Sequence, residues 1–171
     1  MLHVAPEAFF REFFSQRFGR YETADLKMKG ADHIVDLQRL PFDDNTYDFV
    51  YASHVLEHIP DDRKALSEIR RVLKPNGMAI LPVPIYSKNT VEFSEPDPKE
   101  FGHVRAPGLD YFDRYEHYFS KVDRFDSESQ PEKYQVFVYQ DRDPLPEVGG
   151  QPRASSAHKE RLTDVVPVCY T

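Results

Sequence analysis

At 171 residues the chain is long enough for one domain with its own hydrophobic core, and a formal net charge of −7 argues against a nucleic-acid backbone or an anionic membrane surface as its partner. Its single cysteine, Cys169, excludes an intramolecular disulfide framework and any multi-cysteine zinc site. No apolar run approaches the roughly 18 residues of a membrane-spanning helix, and no signal-peptide pattern opens the chain, so the expected setting is soluble, reducing and cytoplasmic.

Taken in order, residues 1–4 form a short apolar segment expected to be a strand. From Pro6 a helix is expected, with Phe9, Phe10, Phe13, Phe14 and Phe18 on one side as core and Arg11, Glu12 and Gln16 on the other. Gly19 ends it. A strand over 21–24 finishes at Asp25, residues 26–32 are too short for a full helix, and a brief strand over 33–35 finishes at Asp36. Residues 47–52 are a nearly continuous apolar run, the pattern of a strand covered on both faces. Ala65, Leu66, Ile69, Val72 and Leu73 then recur at helical spacing over 61–73. Asp61 and Asp62 suit that helix's N-terminus, and the turn Lys74-Pro75-Asn76-Gly77 stops it before a second apolar run over 78–83.

This strand, helix, strand unit has the length of a right-handed parallel crossover. Ligands of such sheets sit beyond the carboxyl ends of the strands, so residues 53–58 and 84–86 are expected to line a site. Residues 86–107, rich in Pro, Ser, Glu and Asp and without clear periodicity, are expected to be a long lid or binding loop. Residues 109–119 return to helical spacing. An antiparallel pair is expected from 120–127 and the alternating stretch 133–140, in which Tyr134, Val136 and Val138 share a face. The expected domain is 1–140, with 141–171 a polar, flexible tail whose residues 165–170 dock on the body.

Asp25 and Asp36 each follow a short strand, which puts two carboxylates at the carboxyl edge of the sheet. A carboxylate there can accept both hydroxyl hydrogens of a ribose or an N–H of an adenine amino group, so the pair describes an adenosine pocket. Either acid alone is also a common turn residue.

Several segments together resemble the class I S-adenosylmethionine-dependent methyltransferases, the small-molecule group called methyltransferase type 11 in particular. They are Val35-Asp36-Leu37 with Leu40-Pro41-Phe42, Tyr47-Asp48-Phe49-Val50, His54-Val55-Leu56-Glu57-His58-Ile59, and Arg71-Val72-Leu73-Lys74-Pro75-Asn76-Gly77. The resemblance implies an α/β, Rossmann-like sheet, mostly parallel, with a C-terminal antiparallel hairpin. It implies S-adenosylmethionine as cofactor and a small-molecule acceptor. By the family pattern Asp25 holds the ribose hydroxyls with Leu26 against the adenine. Asp36 accepts from the adenine amino group with Leu37 beside the ring, and Ser53 and His54 lie at the methionine end.

Two features depart from that pattern. Where the family has a glycine-rich turn preceded by an acid, this chain reads Leu2-His3-Val4-Ala5-Pro6-Glu7, with His3 in the place of the acid. Small Ala5 still lets the backbone approach a cofactor, and Glu7 can attract its ammonium group. The helix that usually precedes the first strand is not seen, so either the natural chain starts upstream or part of the lid is lacking.

Methyl transfer is an in-line displacement in which positioning is the enzyme's main contribution. An oxygen acceptor can also need a base, and the candidates are His54, at the strand end, and His103, Arg105 and Tyr111, from the long loop and the helix after it. Each histidine also reads as structural. His54-Val55-Leu56-Glu57-His58 matches the inverted zinc-peptidase motif, but that motif needs a continuous helix. A strand before it and Ile59-Pro60 after it leave no room for one, and no metal is expected. The remaining alternative is a methyltransferase fold kept for binding alone. A Rossmann dehydrogenase lacks its G-x-G-x-x-G here.

Overall fold

The computed structural model describes residues 1–131, 137–139 and 161–171. Strands β1 (Leu2–Val4), β2 (Glu22–Asp25), β3 (His33–Ile34), β4 (Tyr47–Ala52) and β5 (Leu73–Ile80) run parallel to one another. With β8 (Lys121–Asp126) and β11 (Val165–Tyr170) they form a seven-stranded sheet of order β3-β2-β1-β4-β5-β11-β8. β11 is antiparallel to both of its neighbours. The mostly parallel α/β sheet implied by the sequence resemblance is therefore the observed architecture.

β4 shows why the sheet must be covered on both sides. Val50 and Ala52 pack with Leu2, Val4, Leu66 and Ile69 on one face, and Phe49 and Tyr51 pack with Met1 and Phe14 on the other. Helix α2 (Asp62–Val72) covers the first face, with Ala65, Leu66, Ile69 and Val72 wholly buried. Each of the larger of these side chains contributes about 1.5–3 kcal/mol through burial. The Asp61 carboxylate accepts from Lys64 N–H at 3.0 Å, closing the N-terminus as expected. Helix α1 (Ala8–Ser15) covers the second face.

The phenylalanine stripe of α1 is only partly core. Phe14 is buried and Phe10 and Phe18 lean on it, but Phe9 is 73% exposed and Phe13 39%. Five aromatic rings at these positions span more of a short helix's circumference than one sheet face can cover. Phe13 is capped instead by the Arg17 guanidinium, 3.6 Å from its ring centre.

Residues 73–77 do not simply stop α2. They are drawn into β5 as a bulge, its register shifting between Tyr47 and Phe49 of β4, with Asn76 at a φ of 64°. A Cβ on Gly77 would lie 2.8 Å from Lys74 O, so this tight passage requires glycine.

Two expectations for the second half are corrected. Residues 86–107 contain an antiparallel ribbon, β6 (Val91–Asp97) and β7 (His103–Ala106), rather than an irregular loop. Among the described residues its strands pair with each other and not with the main sheet, and β6, polar and Pro-bearing, lacks the apolar alternation of a strand in that sheet. The antiparallel partner of β8 is β11, not the stretch 133–140. Val165 and Cys169, which alternate with half-buried Val166 and Val168, point into the core between β5 and β8. Of 133–140 only residues 137–139 lie within the described residues. They form β9 (Phe137–Tyr139), paired with β10 (Arg161–Thr163) in a separate ribbon. Leu109–His117 is helical as expected, but of 3₁₀ type, with Tyr111, Phe112 and Tyr115 buried. Among the described residues no helix is long and apolar enough to cross a membrane.

Candidate functional site

Four neighbouring strands end at one edge of the sheet, and the chain turns sharply at each end. After β1, Ala5 adopts a φ of 49°, and its N–H donates to Ala24 O at 2.8 Å. This is the left-handed region, which glycine enters without cost and alanine does not. Ala5 thus makes the turn for which the resembling family uses glycine. After β2, Asp25 Oδ1 accepts from the N–H groups of Lys27 and Met28, both at 2.7 Å. After β3, Asp36 Oδ1 accepts from Gln38 N–H at 2.8 Å. After β4, His54 turns at a φ of 53° and its N–H donates to Pro82 O at 2.9 Å.

These ends enclose a cavity of about 390 Å³. Ala5, Asp25, Leu26, Asp36, Leu37 and His54 all line it, so six of the sequence candidates converge on one space. Each aspartate spends one carboxylate oxygen on its own turn. Gln38 Nε2 approaches both oxygens of Asp36, at 3.1 and 3.2 Å, and is the neighbour a ligand would have to displace or share. The opposite wall comes from Val55, His58, Ile59 and Pro60. Of these, Val55 and His58 fall within the 53–58 stretch expected at the strand end. Ile59 closes the family-like segment that begins at His54, whereas Gln38 and Pro60 carried no sequence signal beyond adjacency to a candidate.

The wall over 36–42 is held from behind. Arg71 of α2 donates to Leu40 O at 3.0 Å and Phe42 O at 2.7 Å while paired with Glu68, and Glu68 accepts from Leu40 N–H at 2.8 Å. The wall over 55–60 is held by Arg105, whose buried guanidinium donates to Leu56 O at 2.7 Å, Ile59 O at 2.6 Å and Pro60 O at 3.0 Å. Arg105 therefore positions the wall and does not face the cavity.

The other candidates lie elsewhere. His3 is fully buried beneath α1, its Nδ1 2.8 Å from the Tyr21 hydroxyl and its Nε2 2.9 Å from Glu7 Oε2. Burial pushes the His3 imidazole below its ordinary range, against the pull of Glu7. His3, Glu7 and Ser53 do not line the cavity. Tyr111 is wholly buried and donates to Asp62 Oδ2 at 2.6 Å, and burial drives its hydroxyl far above its ordinary value. It is out of reach of any ligand in the cavity. His103 is buried on β7, edge-on to His58 with ring centres 4.5 Å apart. Burial also lowers its pKa.

His54 differs from the other two histidines. Its Nδ1 lies 3.6 Å from Glu57 Oε1, and that carboxylate raises its pKa. Glu57, His58 and His103 bring one ligand-competent atom each to within 4.8 Å of one another beside the cavity wall.

Known proteins resemble this chain in part of its sequence and in its fold. The family described as a methyltransferase domain matches residues 16–81, from the end of α1 to the end of β5. The demethylmenaquinone methyltransferase of Staphylococcus epidermidis is 44% identical over 62 residues, which are 36% of this chain and 25% of that protein. The sterol 4-C-methyltransferase of Caenorhabditis elegans is 48% identical over 65 residues, 37% of this chain and 20% of that protein. The matched segments thus span a quarter or less of the length of these relatives. In fold, an S-adenosylmethionine-dependent methyltransferase of Mesorhizobium loti superposes with a TM-score of 0.60 at 12% identity, covering 98% of this chain and 89% of that one.

Proposed function

We propose that this chain, whose residues 16–81 match the methyltransferase-domain family, is a class I S-adenosylmethionine-dependent methyltransferase whose cavity binds S-adenosylmethionine and directs the methyl group to a small-molecule acceptor. One observation carries the reading: Ala5, Asp25, Leu26, Asp36, Leu37 and His54, drawn from four strand ends, line one cavity. The residues fit the cofactor. The left-handed turn at Ala5 keeps the backbone low where the family's glycine lies, and the second oxygen of Asp25 is free of hydrogen bonds within the described residues.

In this arrangement Asp25 accepts from the ribose hydroxyls, with Leu26 against the adenine. Asp36 accepts from the adenine amino group and Leu37 packs on the ring. His54 stands at the methionine end. When bound, the sulfonium supplies an activated methyl group, whose transfer breaks the S–CH₃ bond and leaves the electron pair on sulfur. The chain's contribution is alignment of donor and acceptor, and His54, which among the base candidates lines the cavity, takes the proton from an acceptor hydroxyl. A quinone and a sterol appear in the names of the two relatives, which supports a small-molecule acceptor.

The replacement of the family's acid by His3, turned away under α1, favours one second reading: a fold that binds the cofactor without transferring its methyl group. Isothermal titration with S-adenosylhomocysteine tests the site. Micromolar binding is expected, and no binding overturns the assignment. Transfer of a labelled methyl group to any acceptor in a quinone and sterol panel then separates enzyme from binding module.

A further inference from the structure

Glu57 sits in the single 3₁₀ turn Leu56–His58 and is wholly buried. Among the described residues neither of its carboxylate oxygens has a hydrogen-bond partner, and Oε1 lies 3.6 Å from the His54 ring, beyond hydrogen-bond distance. Buried carboxylates without hydrogen bonds are rare because each oxygen loses its hydration and receives nothing in exchange. The His54 ring alone leaves both oxygens without a hydrogen bond.

The groups around Glu57 indicate what would satisfy it. His58 follows it on the turn and faces the cavity wall. His103 reaches the same point from β7, far along the chain, and meets the His58 ring edge-on at 4.5 Å. One atom from each of the three lies within 4.8 Å of the other two. That span is little more than two metal–ligand bonds of about 2.1 Å each placed end to end. We infer that Glu57, His58 and His103 form a binding site for a divalent first-row transition cation beside the cofactor cavity, from the juxtaposition of a buried carboxylate without a hydrogen bond and two imidazoles.

Two imidazoles and one carboxylate suit zinc and its neighbours and leave coordination positions open, as in catalytic rather than structural sites. The backing is rigid. Arg105, two residues after His103 on the same strand, holds the carbonyls of Leu56, Ile59 and Pro60, so the residue that fixes the turn also fixes β7 against it. The Tyr86 hydroxyl lies 3.4 Å from His103 Nδ1 and orients that ring. This is not a peptidase site: His54 leaves β4 in a left-handed turn and Leu56–His58 is one 3₁₀ turn, so His54 and His58 do not share an α-helical face. The inference does not depend on S-adenosylmethionine binding.

The test is titration of the chelator-stripped, tag-free full chain with Co(II), followed by visible absorption, and with Zn(II) by competition. A ligand-field band at one equivalent and micromolar or tighter Zn(II) binding are expected. Glu57→Gln, nearly isosteric, and His103→Gln should each weaken Zn(II) by more than about tenfold, the least that loss even of an outer-sphere partner causes. Circular dichroism checks that both variants are folded, and His58→Gln, altered at an exposed position, gives a third arm that is not at risk of misfolding. Absence of the Co(II) band, or Zn(II) affinity unchanged in all three variants, overturns the site. S-adenosylhomocysteine titration of the stripped chain reports separately on the cofactor cavity.

Discussion

Arg105 Nη1 lies 2.7 Å from the carbonyl oxygen of Leu56, 49 residues earlier in the chain. The same guanidinium donates to Ile59 O and Pro60 O and faces the carboxylates of Glu92, at 3.1 Å, and Asp62, at 3.6 Å. A ribbon that contributes no strand to the main sheet is thereby riveted to the wall of the cavity. Arginine suits this task because its planar fork presents several donors at once and stays charged when buried.

Replacing Arg105 by methionine keeps much of the stem's volume but leaves three carbonyls and part of two acidic groups without a donor. Breaking a buried charged network in this way costs about 3–5 kcal/mol. Urea unfolding should show the loss as a lower midpoint. An unchanged midpoint would mean that the clamp contributes nothing.

Ala5→Gly should stabilise the fold. A left-handed φ costs a residue bearing a Cβ about 1–2 kcal/mol, and the greater freedom of unfolded glycine offsets about 0.5–1 kcal/mol of that gain. A net gain of about 0.5–1 kcal/mol is expected, together with equal or tighter S-adenosylhomocysteine binding. Ala5→Val should lose both stability and binding, because a branched side chain is strained at this φ and projects at the cavity mouth.

Asp25→Asn and Asp36→Asn keep an oxygen for the turn N–H groups and remove only the charge. Charged hydrogen bonds contribute about 1.5–3 kcal/mol against about 0.5–1.5 for neutral ones. Each variant should therefore bind S-adenosylhomocysteine about tenfold more weakly at nearly unchanged melting temperature. Affinity equal to that of the parent in both variants would show that the adenosine lies elsewhere.

His3 makes stability depend on pH. Its folded pKa is depressed, chiefly by burial, below an ordinary value of 6.5. Above that value both states are neutral and His3 adds no pH dependence. As pH falls below it the unfolded chain takes up the proton first, so stability declines until pH passes the folded value. His3→Gln, which keeps polar contacts to Tyr21 and Glu7, should flatten that part of the acid limb in urea unfolding across pH 4–7 (about the span between the usual carboxylate and imidazole values). An identical slope in parent and variant would exclude this role.

The sequence by itself determined the features that depend on near neighbours along the chain. The period of Ala65, Leu66, Ile69 and Val72 specifies which side of α2 is buried, and Asp61 caps it through a residue three positions on. The unbroken apolar run of β4 requires cover on both faces. Asp25 and Asp36 end their strands because each carboxylate turns back on the next N–H groups. That much gives an α/β sheet and half of a cavity.

Tertiary structure decided what depends on distant partners. The alternating stretch 133–140 and the segment 165–170 present similar patterns, and only the slot between β5 and β8 selects Val165 and Cys169 for the core. Tyr111 and His103 look equally available for catalysis in sequence, yet one is consumed by Asp62 and the other is carried by the ribbon to Glu57 and His58. Hydrophobic period and capping act over a few residues and are written locally. Pairing of a strand, satisfaction of a buried carboxylate and access to a cavity are settled by packing between segments far apart in the chain, which a one-dimensional pattern does not encode.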